Sequence, residues 1–235
     1  MTTSGTTTFN LDLNNLVEEA FERCGAELRT GYDLRTARRS LNLLTIEWAN
    51  RGINLWTIEQ GSIPLVQGQI TYDLPVDTID LIDHVVRTQS GVGQTDINIS
   101  RISVDTYSTI PNKNATGRPI QVWINRQSGA TESGGISNPT INVWPAPEQS
   151  NLYTFVYWRL RRIQDAGNGT TTQDIPFRLL PALVAGLSYY LSLKVPDAIA
   201  RTDMLKAQYD EQWDLASSED REKASLRIVP RQMFY

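Results

Sequence analysis

A chain of 235 residues, 40% hydrophobic and 20% charged, suits one large domain or two small ones with enough apolar material for a sizeable core. A net charge of −4 and a pI near 5.1 argue against a protein that wraps nucleic acid on a broad basic face, although DNA can pass nearby without being gripped. The single cysteine, Cys24, allows no intrachain disulfide, so nothing implies an oxidising compartment.

Residues 1–9 are rich in Thr, Ser and Gly and are expected to be disordered. The polar start lacks the basic and apolar regions of a signal peptide. A helix follows, capped by Asn10 or Asp12, with Leu13, Leu16, Val17, Ala20, Phe21 and Cys24 on one stripe and Gly25 as its stop. Thr30 and Asp33 have capping-box spacing and open a second helix. Its apolar face is Leu34, Ala37, Leu41, Leu44 and Trp48, its opposite face carries Arg35, Arg38, Arg39 and Asn42, and Gly52 ends it.

From Ile53 to Arg162 the period changes to two, as in Ile70/Tyr72/Leu74, Ile120/Val122/Ile124 and Tyr153/Phe155/Tyr157. Clusters of Gly, Pro, Asn and Asp separate these runs, which predicts about seven short strands in a small sandwich or barrel. A helical turn is expected near Val104 to Ile110, and loops at Ser128 to Asn138 and Ala166 to Thr172. Helical periodicity then returns. A third helix starts at Asp174 and Pro176, or at Pro181, and runs to Lys194; a fourth covers Asp197 to Lys223, with Met204, Leu205, Tyr209, Trp213 and Ala216 on its apolar face. The longest apolar run, Leu179 to Leu193, is shorter than the ~20 residues of a membrane span. The remainder, Ser225 to Tyr235, has neither cap nor period and reads as an extended arm.

The expected fold class is therefore α+β. An antiparallel four-helix bundle is formed by the N- and C-terminal helix pairs (10–52 plus 174–224), an antiparallel β domain is inserted (53–173), and an arm follows (225–235). Residues suited to chemistry are sparse. The single histidine, His84, sits in the apolar run Ile82 to Val86 and reads as packed. Cys24 lies on a buried stripe with no activating neighbour. One Cys and one His cannot fill a zinc site. Asp80 and Asp83 read as exposed strand ends, not metal ligands. Gly91-Val92-Gly93 lacks the third glycine of a dinucleotide loop and reads as a hairpin turn. No catalytic, metal or cofactor site is expected. The carboxylate pairs Glu47 with Glu59 and Glu18 with Glu19 lack the placement that glycoside hydrolysis needs. Of the six tryptophans, Trp48, Trp123, Trp158 and Trp213 are expected in cores. The basic cluster Arg159, Arg161, Arg162 reads as a solvated face or an interface salt-bridge donor, with phosphate binding as a further alternative.

Several runs resemble the head-to-tail adaptors of tailed bacteriophages, including the proteins known as tail tubular protein A. These are Trp48-Ala49-Asn50-Arg51-Gly52-Ile53-Asn54-Leu55-Trp56, Leu65-Val66-Gln67-Gly68 and Tyr72-Asp73-Leu74-Pro75. The same holds for Ile110-Pro111-Asn112-Lys113 with Gly117-Arg118-Pro119, for Trp144-Pro145-Ala146-Pro147, and for Leu180-Pro181-Ala182-Leu183-Val184-Ala185-Gly186-Leu187 ahead of Tyr189-Tyr190. All are packing and turn motifs. The resemblance implies a virion protein of the head–tail junction that is not an enzyme and carries no cofactor. Its copies form a ring, expected at twelve, beneath the portal protein, connect it to the tail nozzle or next tail component, and leave a channel through which genomic DNA passes non-specifically.

The resemblance also implies a portal-docking arm, here Arg227, Ile228, Val229, Pro230, Arg231, Gln232, Met233, Phe234 and Tyr235. Its apolar residues offer anchors, its arginines suit acidic partners, and Pro230 lowers the entropy cost of docking. The acidic side of the fourth helix, Asp203, Asp210, Glu211 and Asp214, is the candidate channel-facing surface, because it repels DNA phosphates. Two other readings compete: a carbohydrate-binding module using exposed tryptophans on the β part, and a cell-wall hydrolase using Glu47 and Glu59.

Overall fold

The computed structural model describes residues 3–52, 55–89, 91–127, 129–130 and 136–221. The protein is mixed α+β and divides into two units, residues 1–56 with 163–235, and residues 57–162.

The first unit is helical. Helix α1 (Leu13–Cys24) is capped by Asp12, whose carboxylate accepts from the Asn15 N–H. Helix α2 (Gly31–Arg51) begins with the reciprocal Thr30–Asp33 capping box. Both end on glycines in the left-handed region, Gly25 at φ 76° and Gly52 at φ 87°, where a side chain would be strained. A 3-10 turn, Phe177–Leu179, leads into α4 (Leu180–Ser192); Pro181 sits in the first turn of that helix and marks its start. Asp174 is not its cap: its carboxylate accepts from the Gln164 N–H instead. Helix α5 (Thr202–Glu219) follows a 3-10 segment, Pro196–Arg201.

Helix α4 is the centre of this unit. Ten of its thirteen residues are buried, as befits a helix apolar on all sides, and it packs against α1, α2 and α5. Gly186 permits a close approach: a Cβ built there would lie 2.9 Å from both Leu44 Cδ2 and Tyr209 Cε2. Leu16, Leu41, Leu44, Trp48, Leu183, Leu187 and Tyr209 belong to the same core cluster. The division between the units falls at residues 57 and 162, the second of these where strand periodicity also ends, whereas the β domain was expected to span 53–173. Ile163 and Ala166 bury their side chains in the helical core. Ala166 is also tied to α2: its N–H donates to Asn42 Oδ1 at 2.8 Å and its carbonyl accepts from Arg38 at 3.1 Å.

The second unit holds two four-stranded sheets. One contains β1 (Ile58–Pro64), β3 (Thr78–Thr88), β4 (Thr95–Asn98) and β10 (Tyr153–Arg161), in the order β1-β10-β3-β4. The other contains β2 (Thr71–Asp73), β5 (Ser100–Ile102), β6 (Gln121–Asn125) and β9 (Thr140–Trp144), in the order β2-β9-β6-β5. A further pair, β7 (Gly129–Ala130) with β8 (Ile136–Ser137), lies within the expected Ser128–Asn138 loop. The expectation of an antiparallel domain needs correction, because β5 and β6 pair parallel. Parallel neighbours need a long crossover, and the segment between them, carrying the short helix α3 (Val104–Ser108), provides it. Both sheets contribute to one apolar cluster: Val86 and Phe155 from the first, Val122, Ile141 and Val143 from the second. The Gly91–Gly93 turn joins the antiparallel β3 and β4.

Candidate functional site

The residues suited to chemistry are occupied by structural duties. The Cys24 thiol is buried, donates to the Ser188 carbonyl at 3.2 Å and is pushed up by burial to about 11. A thiol in that state is a poor nucleophile. His84 is buried on β3 and stacks on Phe155, and burial lowers its pKa. Among the described residues, no group of three or more His, Cys, Asp or Glu is placed to hold a metal.

The two carboxylates considered as a hydrolytic pair belong to different units. Glu47, on α2, accepts from the hydroxyls of Tyr190 and Tyr209 and pairs with Arg51. Arg51 lies over the Trp213 ring at 4.6 Å, and the Trp48 indole N–H donates to Tyr209 at 3.1 Å. Burial, with the charge of Glu47 nearby, raises Tyr209 to about 12, and burial with the Glu47 hydrogen bond raises Tyr190 further. Both phenols are therefore neutral donors at neutral pH, and the cluster ties α2, α4 and α5 together. Glu59, on β1, pairs with Arg159 and Arg161 of β10, and Arg159 also reaches Asp77. Arg159 and Arg161 of the basic cluster thus form an internal brace across the first sheet. In the other weighed pair, Glu19 binds Arg23 at 2.9 Å and Glu18 is exposed.

The tryptophan expectations divide. Trp48 is fully buried, but Trp123, Trp158 and Trp213 are only half-buried. Trp123 stacks on Tyr107 with ring centroids 5.1 Å apart.

What remains available is surface, and the helical unit carries the exposed acidic candidates. Asp203, Asp210, Glu211 and Asp214 are all exposed on α5, away from the buried Leu205, Tyr209 and Ala216. They form two stripes at helical spacing. Asp203, Asp210 and Asp214 follow one line. Glu211 lies on the next, between Met204 and Leu215, and both of those apolar residues are exposed. Met204 therefore leaves the apolar face to which its spacing had assigned it. Helix α2 presents an outward stripe of Tyr32, Arg35, Arg39, Leu43 and Ile46. A groove of about 760 Å³ runs beside α1 and the start of α4; Leu11, Phe177 and Val184 are among its apolar lining, and Glu18, Glu19 and Glu22 also line it. The arm residues Arg227, Ile228, Val229, Pro230, Arg231, Gln232, Met233, Phe234 and Tyr235 lie outside the described residues.

No described helix is long and apolar enough to cross a membrane. No curated protein matches the chain. A family model does: residues 12–231, nearly the whole chain, match that of the SU10 adaptor protein, and the chain belongs to this phage adaptor family.

Proposed function

We propose that this protein is a structural, non-catalytic head-to-tail adaptor that forms a ring, expected at twelve copies, between the portal and the tail nozzle. The family match across residues 12–231 carries the reading. In it, α1, α2, α4 and α5 make an antiparallel four-helix bundle that forms the ring wall, and residues 57–162 meet the next tail component, as in the tail tubular proteins. The segment Arg227 to Tyr235 docks on the portal. The Asp203, Asp210 and Asp214 stripe lines the channel, where carboxylates repel the phosphates of passing DNA. The occupation of Cys24, His84, Glu47 and Glu59 by packing and internal pairing supports a non-catalytic role.

The competing sugar-binding reading needs exposed aromatic platforms on the β unit. The six tryptophans are buried or half-buried, and the large apolar residues exposed on residues 57–162 are aliphatic, such as Val76, Ile82 and Val92. These facts weigh against it. Light scattering on the full chain and on a chain ending at Ala224, each with and without purified portal, tests the adaptor reading. Portal-dependent growth to a ring-sized mass, lost on truncation, is the expected result. A full chain that stays monomeric and ignores its portal would refute it.

A further inference from the structure

Two outward faces of the helical unit complement each other in a way that nothing among the described residues uses. On α2, Tyr32, Leu43 and Ile46 are 66%, 51% and 43% exposed, with the exposed Arg35 and Arg39 set between Tyr32 and Leu43. On α5, Met204 and Leu215 are 51% and 58% exposed, with the exposed Glu211 between them. Large apolar side chains at helical spacing on an exposed face signal a surface that another surface covers. Arg35 donates from Nε to the Gly31 carbonyl at 3.3 Å. Among the described residues, Arg35, Arg39 and Glu211 make no ion pair.

We infer that the α2 stripe of one copy packs against the Met204–Glu211–Leu215 stripe of α5 in a second copy, and that this is a contact between neighbours in the ring. The inference rests on the ring reading above and deepens it. The dimensions match. Tyr32 and Leu43 are eleven positions apart, as are Met204 and Leu215, so both apolar pairs span about 16 Å of helix. Aligned antiparallel, with Leu43 against Met204 and Tyr32 against Leu215, Glu211 falls between Arg35 and Arg39. Aligned parallel, Glu211 falls against Arg39. Either way apolar meets apolar and the carboxylate meets guanidinium, a group suited to pairing with it. Each stripe lies on the side of its helix away from the buried side chains that face the common core. The two stripes are different surfaces of one unit, so their pairing is heterologous and propagates from copy to copy, as a ring requires. It also assigns Glu211 to the neighbour and leaves Asp203, Asp210 and Asp214 for the channel.

The test is charge reversal in the full-length chain, with light scattering in the presence of purified portal and thermal unfolding as a folding control. Arg35→Glu with Arg39→Glu makes both stripes acidic. Glu211→Arg makes both basic. Each variant is expected to unfold at the wild-type temperature and to assemble more weakly by on the order of ten-fold or more. All three changes in one chain restore opposite charges, as does an equal mixture of the two variants, and both are expected to recover ring-sized mass. If the wild type assembles and the reversed variants assemble equally well, or if recombining the charges rescues nothing, the α2–α5 contact is wrong while the ring stands. A wild type that never assembles overturns the ring and this contact together.

Discussion

Glu47 illustrates how a single residue's role depends on neighbours that are distant in sequence. Its carboxylate accepts from Tyr190 and Tyr209 and pairs with Arg51, partners on three helices. Replacing it with Leu removes the acceptor of the buried Tyr209 hydroxyl and of the half-buried Tyr190 hydroxyl, while the exposed Arg51 guanidinium can turn to water. At about 1–3 kcal/mol for each buried polar group left unsatisfied, Glu47→Leu is expected to lower the unfolding temperature, as calorimetry can show; Glu47→Gln, which keeps an acceptor, should cost less. Cys24 gives a second residue-scale prediction. Its folded thiol titrates at about 11 against an ordinary 9.0, raised by burial. The folded state therefore holds the proton more tightly, and this contribution to stability is present below pH 9 and lost as pH rises through about 11. At pH 8 a thiol reagent should label Cys24 only after denaturant is added. Rapid labelling of the native chain would contradict the burial. Burial of Cys24 was legible from its place on the α1 stripe. The pairing of Glu47 was not, because no local pattern links residue 47 to residues 190 and 209.

Two elements set the limits of substitution. Helix α4 depends on Gly186, where a Cβ meets Leu44 and Tyr209. Gly186→Val inserts three carbons into that contact and is expected to cost about 1–3 kcal/mol through overpacking, more than the helix-propensity gain of up to about 1 kcal/mol from removing glycine; denaturant titration measures the balance. In the first sheet, Arg159 holds β1 to β10 through Glu59 and reaches Asp77 ahead of β3. Its hydrogen bond to Asp77 holds that carboxyl below the usual carboxylate range. Stability from this pair is thus present above that range and lost as pH falls through the lowered value. Arg159→Met should be less stable than wild type at pH 7, with the gap closing on acidification. A gap that does not depend on pH would refute the ionic role. Helix caps and stops were readable because Thr30, Asp33, Gly25 and Gly52 act within one turn. The parallel β5–β6 pair was not, since alternation reveals a strand and says nothing of its neighbour.

At the scale of the whole chain, the succession of two helices, a β-rich stretch and two further helices was visible in the change of period from 3.6 to 2 and back. The place of residues 163–173 was not, because this stretch has no period of its own, and only the fold shows that the Ile163 and Ala166 side chains belong to the helical core. The candidate surfaces were half legible. The acidic residues of α5 could be grouped by spacing, but the exposure of Met204 and Leu215, and with it the difference between the stripe proposed to face the channel and the one proposed to face a neighbour, depended on which side of α5 packs on α4. Family membership comes from residues 12–231 as a whole. The most direct measurement is electron microscopy of purified portal mixed with the full-length chain. The expected images show a second ring stacked coaxially on the portal, with a central channel and the helical unit in its wall. Portal rings with no added density, beside a chain that remains monomeric, would contradict the structural adaptor account.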